Sequence, residues 1–233
     1  MRVLVTRPEE DAREISEKLR AMGHDTVIAP LLDLRFRDGA EIALDGVAAI
    51  LATSANGVRA IARRSKRRDI PLFAVGPQTA DEAARAGFTH IKNANGDAVA
   101  LAHAVTGWTK PQDGALLHAA GAEAPKFLAA ELEKHGFKVR REVLYEARAV
   151  ERLPDAAAEA LRKDTLDAAL YFSPRSAAIF AACVAQEGLA AHCANMTAFC
   201  ISEATAKALA PLAFHAVHVA KAPNQEALLA LLA

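Results

Sequence analysis

Two short stretches place hydroxyl and amide side chains where an apolar run gives way to a helical pattern. The first, Thr53-Ser54-Ala55-Asn56-Gly57-Val58, follows apolar residues from Val47 to Leu51 and precedes Val58 and Ile61. The second, Ser173-Pro174-Arg175-Ser176, follows Ala169 to Phe172 and precedes Ala177, Ile179 and Phe180. Each reads as a buried parallel strand, a tight turn and a helix start. Ser54 answers Ser173, and Asn56 to Gly57 answers Arg175 to Ser176. Hydroxyls and backbone N–H groups at a helix start bind carboxylates without a formal charge. The carboxyl ends of parallel strands are also where open α/β sheets hold ligands. The same residue types serve as ordinary helix caps. Thr53, Ser54, Asn56, Ser173 and Ser176 therefore carry both readings. Arg7, after the first strand, either pairs with a carboxylate or faces water, and Arg175 shares that ambiguity.

These turns need strands and helices to hold them, and the chain supplies an alternating series. Val3 to Thr6 is a β-branched run. Pro8 with Glu9, Glu10 and Asp11 opens a helix that Gly23 ends. Thr26 to Ile28 is the next strand, and Leu31 to Phe36 alternates as an extended segment would. Beyond the first turn, Leu72 to Val75 is a strand ending at Gly76-Pro77, with a helix from Thr79. His90 to Lys92 is a short strand, Val99 to Val105 a helix, and Thr106 to Asp113 a loop. Ala115 to His118 is a strand, followed by a helix from Ala124 to His135 that buries Phe127, Leu128 and Leu132. Val139 to Val150 is extended and Pro154 opens a helix to Leu161. After the second turn come strands at Ala198 to Ile201 and Val217 to Val219, and a helix from Glu226 to Leu232.

The series repeats. Leu19 and Gly23 match Leu132 and Gly136 at one shared offset, and Gly76 and Thr79 match Ser202 and Thr205 at another. The order is short unit, long unit, short unit, long unit. Consecutive units could pair, or the middle two could pair and leave the first to join the last. The extended segments near Leu31–Phe36 and Val143–Ala149 favour the second arrangement, as a double linker. Either way the class is parallel α/β with crossover helices.

Composition narrows the function classes. The 233 residues are 52% hydrophobic, enough to bury a core, and carry no net charge, where a general nucleic-acid binder carries a basic excess. Cys183, Cys193 and Cys200 are too few and too irregular for a disulfide framework or a zinc site, and read as buried thiols in a reducing compartment. The N-terminus, Met1 to Thr6, lacks a long apolar signal segment and no apolar run approaches membrane-spanning length, so a cytoplasmic protein is expected. There is no Ser–His–Asp pattern, metal motif or glycine-rich dinucleotide fingerprint. The run Arg63 to Arg68 reads as a solvated helix end, where positive charge suits the dipole, rather than as a polyanion site. His118 reads as a satisfied strand-end histidine.

Taken in order, several blocks resemble the uroporphyrinogen-III synthase family over essentially the whole chain. They are Thr6-Arg7-Pro8, Thr53 to Val58, Ala74-Val75-Gly76-Pro77-Gln78-Thr79-Ala80, Tyr145, Phe172 to Ala177, and Ala222-Pro223-Asn224 with Leu228. One block departs: the family's Ile-Gly-Pro-Thr-Thr-Ala is Ile201-Ser202-Glu203-Ala204-Thr205-Ala206 here, which puts the local turn geometry in question. The resemblance implies two Rossmann-like or flavodoxin-like parallel-sheet domains, residues 1–35 with 149–233 and residues 36–148, joined by a two-stranded linker with a cleft between them. It implies a cofactor-free lyase that closes hydroxymethylbilane, a linear tetrapyrrole with eight carboxylates, to uroporphyrinogen III with the last ring, ring D, inverted. Unaided closure proceeds without inversion, so such an enzyme must chiefly hold a conformation. The resemblance raises Arg7, Thr53, Ser54, Asn56, Gly76, Thr79, Ser173 and Ser176 as substrate contacts. Thr79 and Thr205 are helix caps that could also bind. Tyr145 is either a half-buried strand aromatic or a weak acid assisting hydroxide departure, with Thr205 as a second catalytic candidate. A monomer is expected, and a transient hand-off from hydroxymethylbilane synthase is left open. The competing readings are a non-catalytic two-lobed binding or sensor protein, a phosphoacceptor receiver lacking its acidic residues, and a nucleic-acid binder resting on Arg63 to Arg68 alone.

Overall fold

The computed structural model describes residues 1–232. In chain order it forms β1 (Arg2–Val5), α1 (Glu9–Ala21), β2 (Asp25–Ile28), β3 (Leu32–Phe36), β4 (Val47–Ala52), α2 (Ala55–Arg64), β5 (Leu72–Ala74), α3 (Pro77–Arg85), β6 (Ile91–Asn93), α4 (Ala98–Trp108), β7 (Ala115–Gly121), α5 (Phe127–Lys134) and β8 (Val139–Ala149). It continues with α6 (Asp155–Arg162), β9 (Ala168–Tyr171), α7 (Pro174–Gln186), β10 (Thr197–Cys200), α8 (Glu203–Ala208), β11 (Ala216–Val219) and α9 (Gln225–Leu229). The chain divides into two compact units. The terminal unit joins Met1–Asp33 to the chain from Arg148 onward, and the middle unit is Leu34–Ala147. Both crossing points fall inside strands, one in β3 and one in β8, and these two strands are neighbours.

The terminal unit's sheet runs β11-β10-β9-β1-β2, with every adjacent pair parallel. Numbered along its own chain, that is the flavodoxin-like order 2-1-3-4-5. The middle unit's sheet runs β3-β8-β7-β4-β5-β6, and the pairs from β8 to β6 are parallel. Its β7 and β8 occupy the places that β1 and β2 hold in the terminal unit, and β4 to β6 those of β9 to β11. The two sheets therefore share one spatial order with the chain circularly permuted, which is how the short and long repeats come to alternate.

Helices on both faces explain the continuous apolar strands. In β4, Ile50 and Ala52 face Val58 and Ile61 of α2 and Ala83 of α3. Ala49 and Leu51 face Leu101 and Val105 of α4 and Leu128 and Leu132 of α5. In the terminal unit Leu4, Ala169 and Tyr171 share a core with α6 and α7, while Val3, Val5 and Leu170 pack with Ile15 and Leu19 of α1 and Leu228 of α9. The three cysteines are buried and free, and burial pushes the Cys193 and Cys200 thiols up to about 11 and about 12.

Four local expectations need correction. α4 continues to Trp108, whose ring packs edge-on to Phe73 at 5.1 Å, so residues 106–108 are helix rather than loop. α5 begins at Phe127, since a turn with Ala124 N–H donating to Gly121 O precedes it. Phe127 is then 43% exposed rather than buried, because the inward stripe is the i,i+4 pair Leu128 and Leu132. The last α-helix ends at Leu229 and finishes as a 3-10 turn, Ala230–Leu232.

Candidate functional site

In the middle unit Ser54 takes extended backbone angles and caps α2, its Oγ accepting the Gly57 N–H at 3.2 Å. The same Oγ lies 2.7 Å from the Tyr145 Oη. Tyr145 sits on β8 opposite Gly121 of β7, just past an irregularity in the ladder at Ala120/Gly121. A Cβ at Gly121 would come within 2.8 Å of the Tyr145 ring. The phenol thus crosses the end of β7, the strand between β8 and β4, only because residue 121 has no side chain. Phe36 packs against the ring at 6.5 Å, tilted by 52°. Burial raises the phenol's pKa, the Ser54 hydrogen bond opposes that rise, and the Glu123 charge adds to it. Tyr145 is therefore a protonated phenol at neutral pH.

Around this pair lie the other middle-unit candidates. Thr53 Oγ1 and His118 Nε2 are 3.5 Å apart. His118 is 1% exposed and its Nδ1 has no protein partner, so it is not the satisfied strand-end histidine expected. Burial, reinforced by the Arg141 charge, lowers it to about 4. The Asn56 carbonyl accepts from Arg59 Nη1 at 3.0 Å, and Arg59 Nη2 pairs with Glu82 at 2.8 Å, clasping α2 to α3. Gly76 holds the N-cap position of α3, and Thr79 lies three residues in, 4% exposed, its N–H donating to Gly76 O.

The terminal unit repeats the arrangement. Ser173 caps α7 with almost the backbone angles of Ser54, accepting the Ser176 N–H at 3.1 Å and donating to Ser176 Oγ at 3.0 Å. Ser202 caps α8, its Oγ accepting the Thr205 N–H at 3.3 Å and lying 3.0 Å from Thr205 Oγ1. Arg7 pairs with Asp11 at 2.6 Å, with its guanidinium 4.9 Å from the Phe172 ring centre.

Several sequence readings change here. Thr79 and Thr205 are not caps: they occupy third helical positions behind Gly76 and Ser202, and Thr205 is fully buried. Ser202, in sequence only a departure from the family block, is the capping residue, and a serine directly before a helical run carries that signal. The departure leaves the turn intact, since Ser202 O accepts from Thr205 and Ala206 as Gly76 O does from Thr79 and Ala80. The run Arg63 to Arg68 is not simply solvated. Arg64 donates to Arg37 O and Ala40 O, Arg68 to Ala62 O, Ser65 O and Ala86 O, and Arg63 lies 3.9 Å over the Phe36 ring. Among the described residues no metal-ligand cluster occurs, and no helix is long and apolar enough to cross a membrane.

Each of the two units is a parallel α/β fold whose helix starts carry hydroxyls and N–H groups at the strands' carboxyl ends. The family pattern described as HEM4, uroporphyrinogen-III synthase HemD, matches residues 13–230. The chain belongs to the uroporphyrinogen-III synthase family. The structure titled uroporphyrinogen-III synthetase from Helicobacter pylori 26695 is 19% identical, with a TM-score of 0.62, covering 100% of this chain and 98% of that one. A mutant uroporphyrinogen III synthase from the extremely thermophilic bacterium Thermus thermophilus is 17% identical, with a TM-score of 0.56, covering 100% and 96%. At these identities the two structures establish the fold. Comparison with curated proteins gives no match. The family's activity is that of a lyase in tetrapyrrole biosynthesis: hydroxymethylbilane loses water and closes to uroporphyrinogen III with ring D inverted. The non-catalytic binding-protein reading is not favoured.

Proposed function

We propose that Tyr145 is the weak acid of this reaction. The hydroxymethyl C–O bond breaks with its electron pair on oxygen, and the phenol's proton completes the departing water. The proton released when the closing ring regains aromaticity restores the phenol. The observation that carries this reading is the 2.7 Å contact between Tyr145 Oη and Ser54 Oγ, which holds the phenol at the start of α2. Around it, Thr53, Ser54, Asn56, Gly76 and Thr79 hold substrate carboxylates through hydroxyls and N–H groups, and Arg7, Ser173 and Ser176 do the same in the terminal unit. Thr205 contributes through the Ser202 hydroxyl it meets. The protein acts as a cytoplasmic monomer without a cofactor, and a transient hand-off of substrate from hydroxymethylbilane synthase fits a product that closes wrongly when left alone. The zero net charge supports a small-molecule partner over nucleic acid. The test is turnover of fresh hydroxymethylbilane with type I and type III products resolved after oxidation. Tyr145→Phe is expected to lower type III formation roughly 100-fold. An unchanged rate would remove Tyr145 from the chemistry.

A further inference from the structure

We infer that Ser54 is a positioning residue for Tyr145: its hydroxyl receives the phenolate as the proton leaves, and Gly121 is the seat that lets the ring reach it. This rests on the reading of Tyr145 as the acid and adds the group that makes the acid effective.

The geometry gives Ser54 two tasks on one oxygen. Its lone pair accepts the Gly57 N–H at 3.2 Å, fixing the side chain at the start of α2. Its proton remains for the Tyr145 Oη at 2.7 Å. In the resting protein either hydroxyl can be the donor. Once the phenol has given up its proton it can only accept, so the Ser54 O–H then points at the phenolate. A hydrogen bond to the charged form favours that form. That help is needed, because burial and the Glu123 charge both oppose ionisation of this phenol. The α2 N-terminus adds a field of the right sign. On its other side the ring rests on Gly121, where a Cβ would lie 2.8 Å from Cζ and 3.1 Å from the phenol oxygen. Oxygen and ring are therefore fixed by two residues far apart in sequence, neither of which needs to touch the reacting carbon.

The chain's composition makes this measurable. It contains two tyrosines, and Tyr171 is fully buried with its pKa pushed well above the usual range. The first tyrosinate absorbance on raising pH therefore reports Tyr145, and Tyr171→Phe removes the other signal. Ser54→Gly keeps the capping conformation at small cost and deletes the hydroxyl, while Ser54→Thr restores it. Ser54→Gly is expected to move the Tyr145 midpoint up by about 1 unit and to lower kcat for type III formation about 10-fold. Ser54→Thr should reverse both. Gly121→Ala should shift the midpoint as well, by displacing the ring. An unshifted midpoint in Ser54→Gly would overturn the inference while leaving the Tyr145→Phe result to stand or fall separately. A shifted midpoint with wild-type turnover in Tyr145→Phe would instead sink the acid reading and keep the Ser54 contact.

Discussion

Gly57 and Ala119 approach so closely that a Cβ on Gly57 would sit 2.5 Å from the Ala119 carbonyl oxygen. Helix α2 is therefore pressed onto β7 at its first turn, next to the Ser54 cap. The obstacle is backbone, which cannot swing aside as a side-chain tip could. Gly57→Ala is expected to destabilise the protein by roughly 1–3 kcal/mol and to depress type III formation by moving Ser54 off Tyr145. In the terminal unit a side chain, Ser176, fills the matching place. Ser176→Ala removes only its Oγ contact with Ser173 and should cost about 1 kcal/mol or less. Thermal midpoints of the two variants make the check, and equal losses would mean that α2 is free to lift away.

His118 makes stability pH-dependent. Its folded pKa of about 4 lies below the unfolded value of about 6.5. Above pH ~6.5 it is neutral in both states and adds no slope. As pH falls from ~6.5 toward ~4, the unfolded chain takes up a proton that the folded chain refuses, and stability is lost by roughly 3 kcal/mol in all. The neighbouring Arg141, which donates to Gly121 O, Ala122 O and Ala124 O, would face the new charge and carry the strain into the loop behind Gly121. Urea unfolding at several pH values should show this slope in the wild type and a flatter one in His118→Gln. Matching slopes would assign the acid sensitivity to other groups.

Tyr171 presents the opposite case, a buried hydroxyl with no protein partner. Its ring is well placed, edge-on to Phe180 at 5.3 Å and Phe214 at 6.3 Å. Tyr171→Phe keeps those contacts and removes an unsatisfied polar atom, so stability should rise by roughly 1 kcal/mol. A lowered thermal midpoint would show that the hydroxyl holds a buried water.

The strand–turn–helix units are legible in sequence because β4 and β9 are covered on both faces and so read as unbroken apolar runs ending in small polar residues. The strand order is not, since alternation of strands and helices says nothing about which neighbour a strand selects, and one unit is permuted. The site splits the same way. Ser54 and Ser173 announce themselves as caps through local chemistry. The Ser54–Tyr145 contact joins residues 91 positions apart and depends on β8 lying beside β7 in a register that sets Tyr145 over Gly121. His118 escapes a sequence reading for a related reason: the small residues after it do not disclose that β7 runs on to Gly121, which makes His118 a buried mid-strand residue.

The turn at Ser202 tests whether its hydroxyl is a cap or a contact. Gly76 and Ser202 have nearly the same extended angles, φ −157° and −158°, so neither position requires glycine for its backbone. A serine there accepts the Thr205 N–H, which a glycine cannot, and Glu203 in the first turn of α8 adds a negative charge where the helix field favours one. Ser202→Ala should therefore lose about 1 kcal/mol and Ser202→Gly a few tenths. Glu203→Gln should lose about 0.3–1 kcal/mol, less at high salt. Type III formation should follow stability in this series if the hydroxyl serves only the helix. If Ser202→Gly keeps its thermal midpoint and loses turnover, the hydroxyl binds substrate, and Thr205 behind it is the residue that aims it.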